Sequence, residues 1–180
     1  MVICDSSSLI HLAGIGRLGL LRELYGKLIV PTAVWREVVE EGKGRLGVVE
    51  VEEARLEGWI EVRPVTQELL LKSLKQELDD GEAEVICLAV ELKASLVLLD
   101  ETEARRVASL YALNKTGAIG VLIRARLEGK LEVLRPELDK LRTEAGFWIE
   151  EKLYRQALDA VGEESELIRE DVEWGLRGTD

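Results

Sequence analysis

The chain has 180 residues, 47% of them hydrophobic and 33% charged, which suits one compact core and excludes a disordered polymer. The net charge of −11 argues against a broad basic nucleic-acid surface, and no apolar run is long enough to span a bilayer. The acidity is uneven, with eleven acids and four bases in residues 144–180 against 24 acids and 20 bases before them.

The N-terminus, MVICDSSSLIHLAG, has no basic leader and turns polar after four residues, so it reads as a first strand and not a signal peptide. Val2–Cys4, Lys27–Val30, Trp59–Val62 and Ser95–Leu99 are short apolar runs of the buried-strand kind, and a fifth, short strand is expected near residues 113–116. Between them helical spacing recurs over 9–25, 31–41, 48–56, 65–78, 82–93, 102–112, 117–127 and 137–144. The centre of 82–93, VICLAV, is apolar all round and predicts a fully buried helix. Alternating strands and helices predict an α/β fold, a parallel sheet with helices on both faces in three layers. Residues 1–143 read as the domain, and 144–180 as an acidic C-terminal helical arm with Trp148, Ile149, Leu153, Tyr154, Ala157 and Leu158 as its apolar stripe.

In open parallel sheets functional groups gather beyond the carboxyl ends of the strands. Two runs end there in an acid: VICD in Asp5 and SLVLLD in Asp100. On adjacent strands these carboxylates would repel, and a hard cation such as Mg2+ or Mn2+ would relieve the conflict. Helix N-capping is the competing explanation for each. In LDDGEAEVICLA, Asp79 and Glu82 have capping-box spacing, whereas Glu84 borders the buried helix and needs a partner. Glu37 shares its helix with Glu40 and Glu41, for which a solvated face is the default. Glu101 and Glu103 read as first-turn helix acids or accessory ligands.

His11, the only histidine, reads as a surface or helix-edge residue, and Cys4 and Cys87 as buried thiols of a reduced, cytoplasmic protein. The scarcity of amides (Asn114, Gln67, Gln76 and Gln156) is a composition common in proteins from hot environments. Arg36, Lys43, Arg45, Arg105, Arg106, Lys115, Arg124 and Arg126 are possible phosphate contacts, though most such side chains are simply solvated. A phospho-acceptor receiver domain would want an aspartate ending the middle strand, and WIEVRPV offers none.

The segments DSSSLIHLAGIGRLGLLRELYGKLIVPTAVWREVVEEG, GEAEVICLA, LVLLDETEARRVA and TGAIGVLIRARLEGKL, in that order over about residues 1–140, resemble PIN-like domains, in a branch related to VapC toxins of toxin–antitoxin pairs. The resemblance implies Mg2+- or Mn2+-dependent cleavage of RNA, a homodimer and an antitoxin-like protein partner. It makes Asp5, Glu37, Glu84 and Asp100 the metal-binding and catalytic acids, with Glu82 the alternative register on the central helix. Ser7 and Thr116 become the polar residues behind them. The chain departs from the common pattern with glutamate in place of aspartate on that helix and with Leu98 where Thr or Ser is usual. A PIN-like scaffold that only binds a protein partner is the alternative, and Trp35, Trp59, Trp148 and Trp174 are the residues to watch for such an interface.

Overall fold

Three-residue strands survive in water only where both faces and both edges are covered, and the first strand has all of this. In the computed structural model, which describes residues 1–45 and 47–163, β1 (Val2–Cys4) is fully buried at the centre of a five-stranded sheet. Around it lie β2 (Leu28–Pro31), β3 (Ile60–Arg63), β4 (Leu96–Leu98) and β5 (Lys115–Thr116), in the order β3-β2-β1-β4-β5. Every pairing is parallel, with Ile3 opposite Ile29 on one side and Val97 on the other. The chain builds outward from β1 to β3 and then crosses back to place β4 on β1's other edge. The order therefore reverses between β1 and β4, where a crevice opens at the carboxyl ends of the strands.

Glycines cut the first predicted helix in two. Gly16 takes a left-handed φ of 67° between α1 (Ser6–Gly14) and α2 (Gly19–Tyr25). Helix α3 (Thr32–Trp35) widens into a π-helical segment, Arg36–Glu40, and is followed by α4 (Val48–Leu56), α5 (Glu68–Leu74) and α6 (Asp80–Leu92). Then come α7 (Thr102–Leu110), α8 (Ala118–Leu127), α9 (Arg135–Thr143) and α10 (Glu151–Ala160). As its all-apolar centre requires, α6 is the buried helix: it packs on β1, β2 and β4 and is flanked by α3, α5 and α7. On the other side α1 packs with α8 and α9, and α2 with α8, completing three layers.

Helix α10 is not separate from this core. It packs on α8, and Tyr154, Ala157 and Leu158 are buried in the same apolar cluster as the sheet. Glu163 accepts from the main-chain N–H groups of Leu134 and Arg135 and from the Arg126 guanidinium, tying the chain just past α10 to the start of α9. The acidic stretch beyond Glu163, with Trp174 and the GLRGTD end, lies outside the described residues. Among the described residues no helix is long and apolar enough to cross a membrane.

Candidate functional site

Parallel pairing of β1 with β4 brings Asp5 and Asp100 together at the reversal point. Asp5 directly follows β1 and is 2% exposed. Its Oδ1 accepts the Ser8 main-chain N–H at 2.8 Å, so it caps α1, and its Oδ2 accepts the Asp100 N–H at 3.1 Å. The cap and the strand-end acid are thus one residue in two roles.

Asp100 is held as firmly. Its Oδ1 accepts the Ala118 N–H at the start of α8 at 2.8 Å, and its Oδ2 lies 3.0 Å from His11 Nδ1. The first bond depends on Gly117, where a Cβ would stand 2.3 Å from Asp100 Oδ1. Gly117→Ala is expected to displace that carboxylate and to lower stability by about 1–3 kcal/mol in thermal denaturation. An unchanged midpoint would show that Asp100 has room to move.

Around Asp5 lies a cleft of about 390 Å3 lined by Ser6, Ser7, Glu37, Asp79, Glu82, Glu101 and Glu103. Each wall has a local cause. Ser7 is on the first turn of α1, above its cap. Asp79 caps α6 by accepting the Glu82 N–H at 2.8 Å, which sets Glu82 on the first turn of that helix. Glu37 belongs to the π-helical segment, and its carboxylate approaches α6 over Gly81, where a Cβ would stand 3.2 Å from Oε2. Glu101 precedes α7 and Glu103 lies on its first turn.

Glu84 does not line this cleft. Its Oε2 accepts the Ala33 N–H at 2.7 Å, serving the first turn of α3. Pro31, at the N-cap position of α3, has no side chain that can accept, so an acid from the neighbouring helix satisfies one of the open N–H groups. Of Glu82 and Glu84 on α6, Glu82 is the one that joins Asp5 and Glu37. Thr116 is absent from the cleft lining too, and so is Asp100, whose side chain is 4% exposed and lies behind Asp5. The Thr116 Oγ1 packs against Gly120 on α8, while its carbonyl accepts the Leu99 N–H at 2.9 Å.

Sequence reasoning missed His11. Its ring is mostly covered, pairs with Asp100 and rests on Phe147 with ring centroids 4.3 Å apart. The spacing of Ser7 and His11, one turn apart on α1, could have revealed it once Ser7 was assigned to the site.

The cleft lacks countercharge. Among the described residues Glu103 pairs with Arg106, which holds its carboxyl below the usual range, but Asp5, Glu37, Asp79, Glu82 and Glu101 meet no lysine or arginine. Burial first, and the Asp100 charge second, push Asp5 up to about 7 against the pull of its N–H donors. Burial, Asp79 and also Glu101 and Glu37 push Glu82 up to about 7. The thiols offer no alternative chemistry, since burial raises Cys4 far above its ordinary value, helped by Asp5 and Asp100, and raises Cys87 to about 11.

As the side chains lie, no three of these groups among the described residues already surround one ion position. The donor set nonetheless fits a hard divalent cation. It is all carboxylate oxygen, two of its members are driven toward protonation by burial and then by neighbouring negative charge, and each Asp5 and Asp100 oxygen keeps a lone pair beyond its N–H bond. Beside the cleft, a depression of about 380 Å3 shares Glu37 and Asp79 and adds Arg36 to its wall.

A protein-family model described as a PIN domain matches residues 1–163, nine-tenths of the chain. No curated protein matches it.

Proposed function

Because the chain belongs to the PIN-domain family, we propose that it is a divalent-metal-dependent nuclease that hydrolyses phosphodiester bonds in RNA. The observation that carries the reading is the uncompensated carboxylate cleft at the β1/β4 reversal point. Asp5, Asp100, Glu82 and Glu37 would hold Mg2+ or Mn2+, with Asp79, Glu101 and Glu103 at the margin. When bound, such an ion activates water and offsets charge on the phosphate.

The chain's own residues do the rest. Backbone N–H groups fix Asp5 and the Ala118 N–H fixes Asp100, so both acids are ordered before an ion arrives. Ser7 offers a hydroxyl at the cleft wall that can orient a phosphate oxygen or water. Arg36, half exposed on the adjoining wall, can contact a neighbouring phosphate of the strand without reading its bases. The remaining surface is acidic overall, which favours a short contact with single-stranded RNA over a broad duplex footprint.

Two variants on one helix test the assignment. Glu82→Gln is expected to lower Mn2+-dependent cleavage of single-stranded RNA by about 100-fold, in line with the loss of one charged group from a metal site. Glu84→Gln is expected to keep cleavage and lose about 1 kcal/mol of stability, as a weakened helix cap does. The opposite pattern would return the site to Glu84, and absence of cleavage by the wild type at millimolar Mn2+ would sink the nuclease reading.

A second reading is supported by Trp148, which is 87% exposed, whereas Trp59 is buried and Trp35 is covered by Arg55 at 4.5 Å. An exposed tryptophan in the segment between α9 and α10 is what a protein-binding module would present to an antitoxin-like partner or a second copy of the chain. Trp148→Ala would then weaken association and leave Mn2+ binding intact.

A further inference from the structure

The His11–Asp100 contact joins residues 89 positions apart, at 3.0 Å, with side chains only 16% and 4% exposed. An ionised carboxylate can only accept, so the pairing requires Nδ1 of His11 to carry the proton. With Ala118 N–H on Oδ1 and His11 Nδ1–H on Oδ2, Asp100 is pinned at both oxygens and its plane is set. In its neutral Nδ1–H tautomer an imidazole orients the acid without bringing a positive charge that would compete with a cation, as lysine or arginine would.

The ring is held in turn. Phe147 lies against it at 4.3 Å with the planes tilted by 47°. Phe147 is anchored by its own N–H to the Leu141 carbonyl at 2.8 Å, by buried Ile149 two residues on, and by Arg142 donating to the Ile149 carbonyl at 3.0 Å. A segment between α9 and α10 thereby reaches the acid at the end of β4.

We propose that His11 is a positioning residue of the metal centre: its Nδ1–H holds Asp100 in the orientation that meets the ion, and Phe147 holds His11. The proposal rests on the metal-binding reading above. It gives the segment after α9 a part in the site, which the family resemblance of the first 140 residues does not assign.

Because His11 is the only histidine, its ring signals are unambiguous in long-range proton–nitrogen NMR spectra. The expected result is the Nδ1–H tautomer in the metal-free protein, retained when Mg2+ is added. The Nε2–H tautomer, or a mixture of the two, overturns the proposal.

Mn2+ affinity supplies the second readout. His11→Ala is expected to bind Mn2+ about 10- to 100-fold more weakly than the wild type, the usual cost of losing such a partner. His11→Asn, whose amide can place an N–H near the Nδ1 position, is expected to recover most of that loss. Equal affinity in wild type and His11→Ala overturns this proposal alone, whereas a wild type that binds no Mn2+ overturns the metal reading and the proposal with it. Should His11→Ala fail to fold, Phe147→Leu touches no carboxylate and serves instead. It is expected to mix the tautomers and weaken Mn2+ binding several-fold, and a wild-type spectrum and affinity would overturn the proposal.

Discussion

Replacing Asp5 by asparagine is expected to remove metal-dependent cleavage while making the metal-free protein more stable at about pH 8. The two effects share a cause. Asp5 is buried beside Asp100, and its carboxyl is pushed up to about 7, so ionising it in the folded protein costs roughly 4 kcal/mol relative to the unfolded chain. Asparagine removes that cost. It keeps the acceptor for the Ser8 N–H but turns an amide donor toward the Asp100 N–H, which returns about 1–3 kcal/mol. The net gain is about 1–3 kcal/mol, seen as a rise of several degrees in the melting midpoint. Cleavage falls by at least about 100-fold because the central anionic ligand is gone. A site selected for function commonly shows this exchange of stability for charge. A variant that melts lower than the wild type at about pH 8 would mean that burial and Asp100 do not strain Asp5.

The second large effect is a stability that depends on both pH and metal. The folded protein keeps a proton on Asp5 up to about 7, while the unfolded chain releases it near the ordinary aspartate value of about 3.9. Between those values the native state binds more protons, so stability falls as pH rises through the window. From about pH 5, where the paired surface carboxylates have finished titrating, to about pH 8, Asp5 alone removes about 3 kcal/mol, or on the order of 10 °C in the midpoint. Glu82, pushed up to about 7 in the half-buried wall of the same cleft, acts in the same direction. Millimolar Mg2+ or Mn2+ binds the deprotonated acids and is expected to cancel this loss, with little effect at about pH 5. Thermal melts at both pH values, with and without the ion, check it. A midpoint that rises with pH in the absence of metal would contradict the assignment.

The layer architecture was legible because the strands are short, apolar and evenly interrupted by helical spacing, and the all-apolar VICLAV run does form the buried helix. Asp5 and Asp100 were legible because each closes an apolar run, and their adjacency follows once β4 pairs with β1. What stayed hidden depends on side-chain direction. Glu82 and Glu84 are two residues apart, so they point about 200° apart around α6, and only the packing of α3 on α6 decides which faces the cleft. The local reason that turns Glu84 away, an uncapped helix start after Pro31, lies 51 residues from it in sequence. The π-helical widening over Arg36–Glu40 has no pattern of its own, yet it sets where Glu37 points. His11 was hidden because both its partners, Asp100 and Phe147, are more than eighty residues away along the chain.

Anomalous diffraction from crystals soaked in millimolar Mn2+ at about pH 8 tests the metal centre most directly. The account predicts a Mn2+ peak within coordination distance of Asp5 and Asp100, with Glu82 drawn in from the opposite wall and Glu84 still on the Ala33 N–H. A cleft without a peak in well-diffracting crystals, or a peak ligated by Glu84 and not by Asp5, would contradict it.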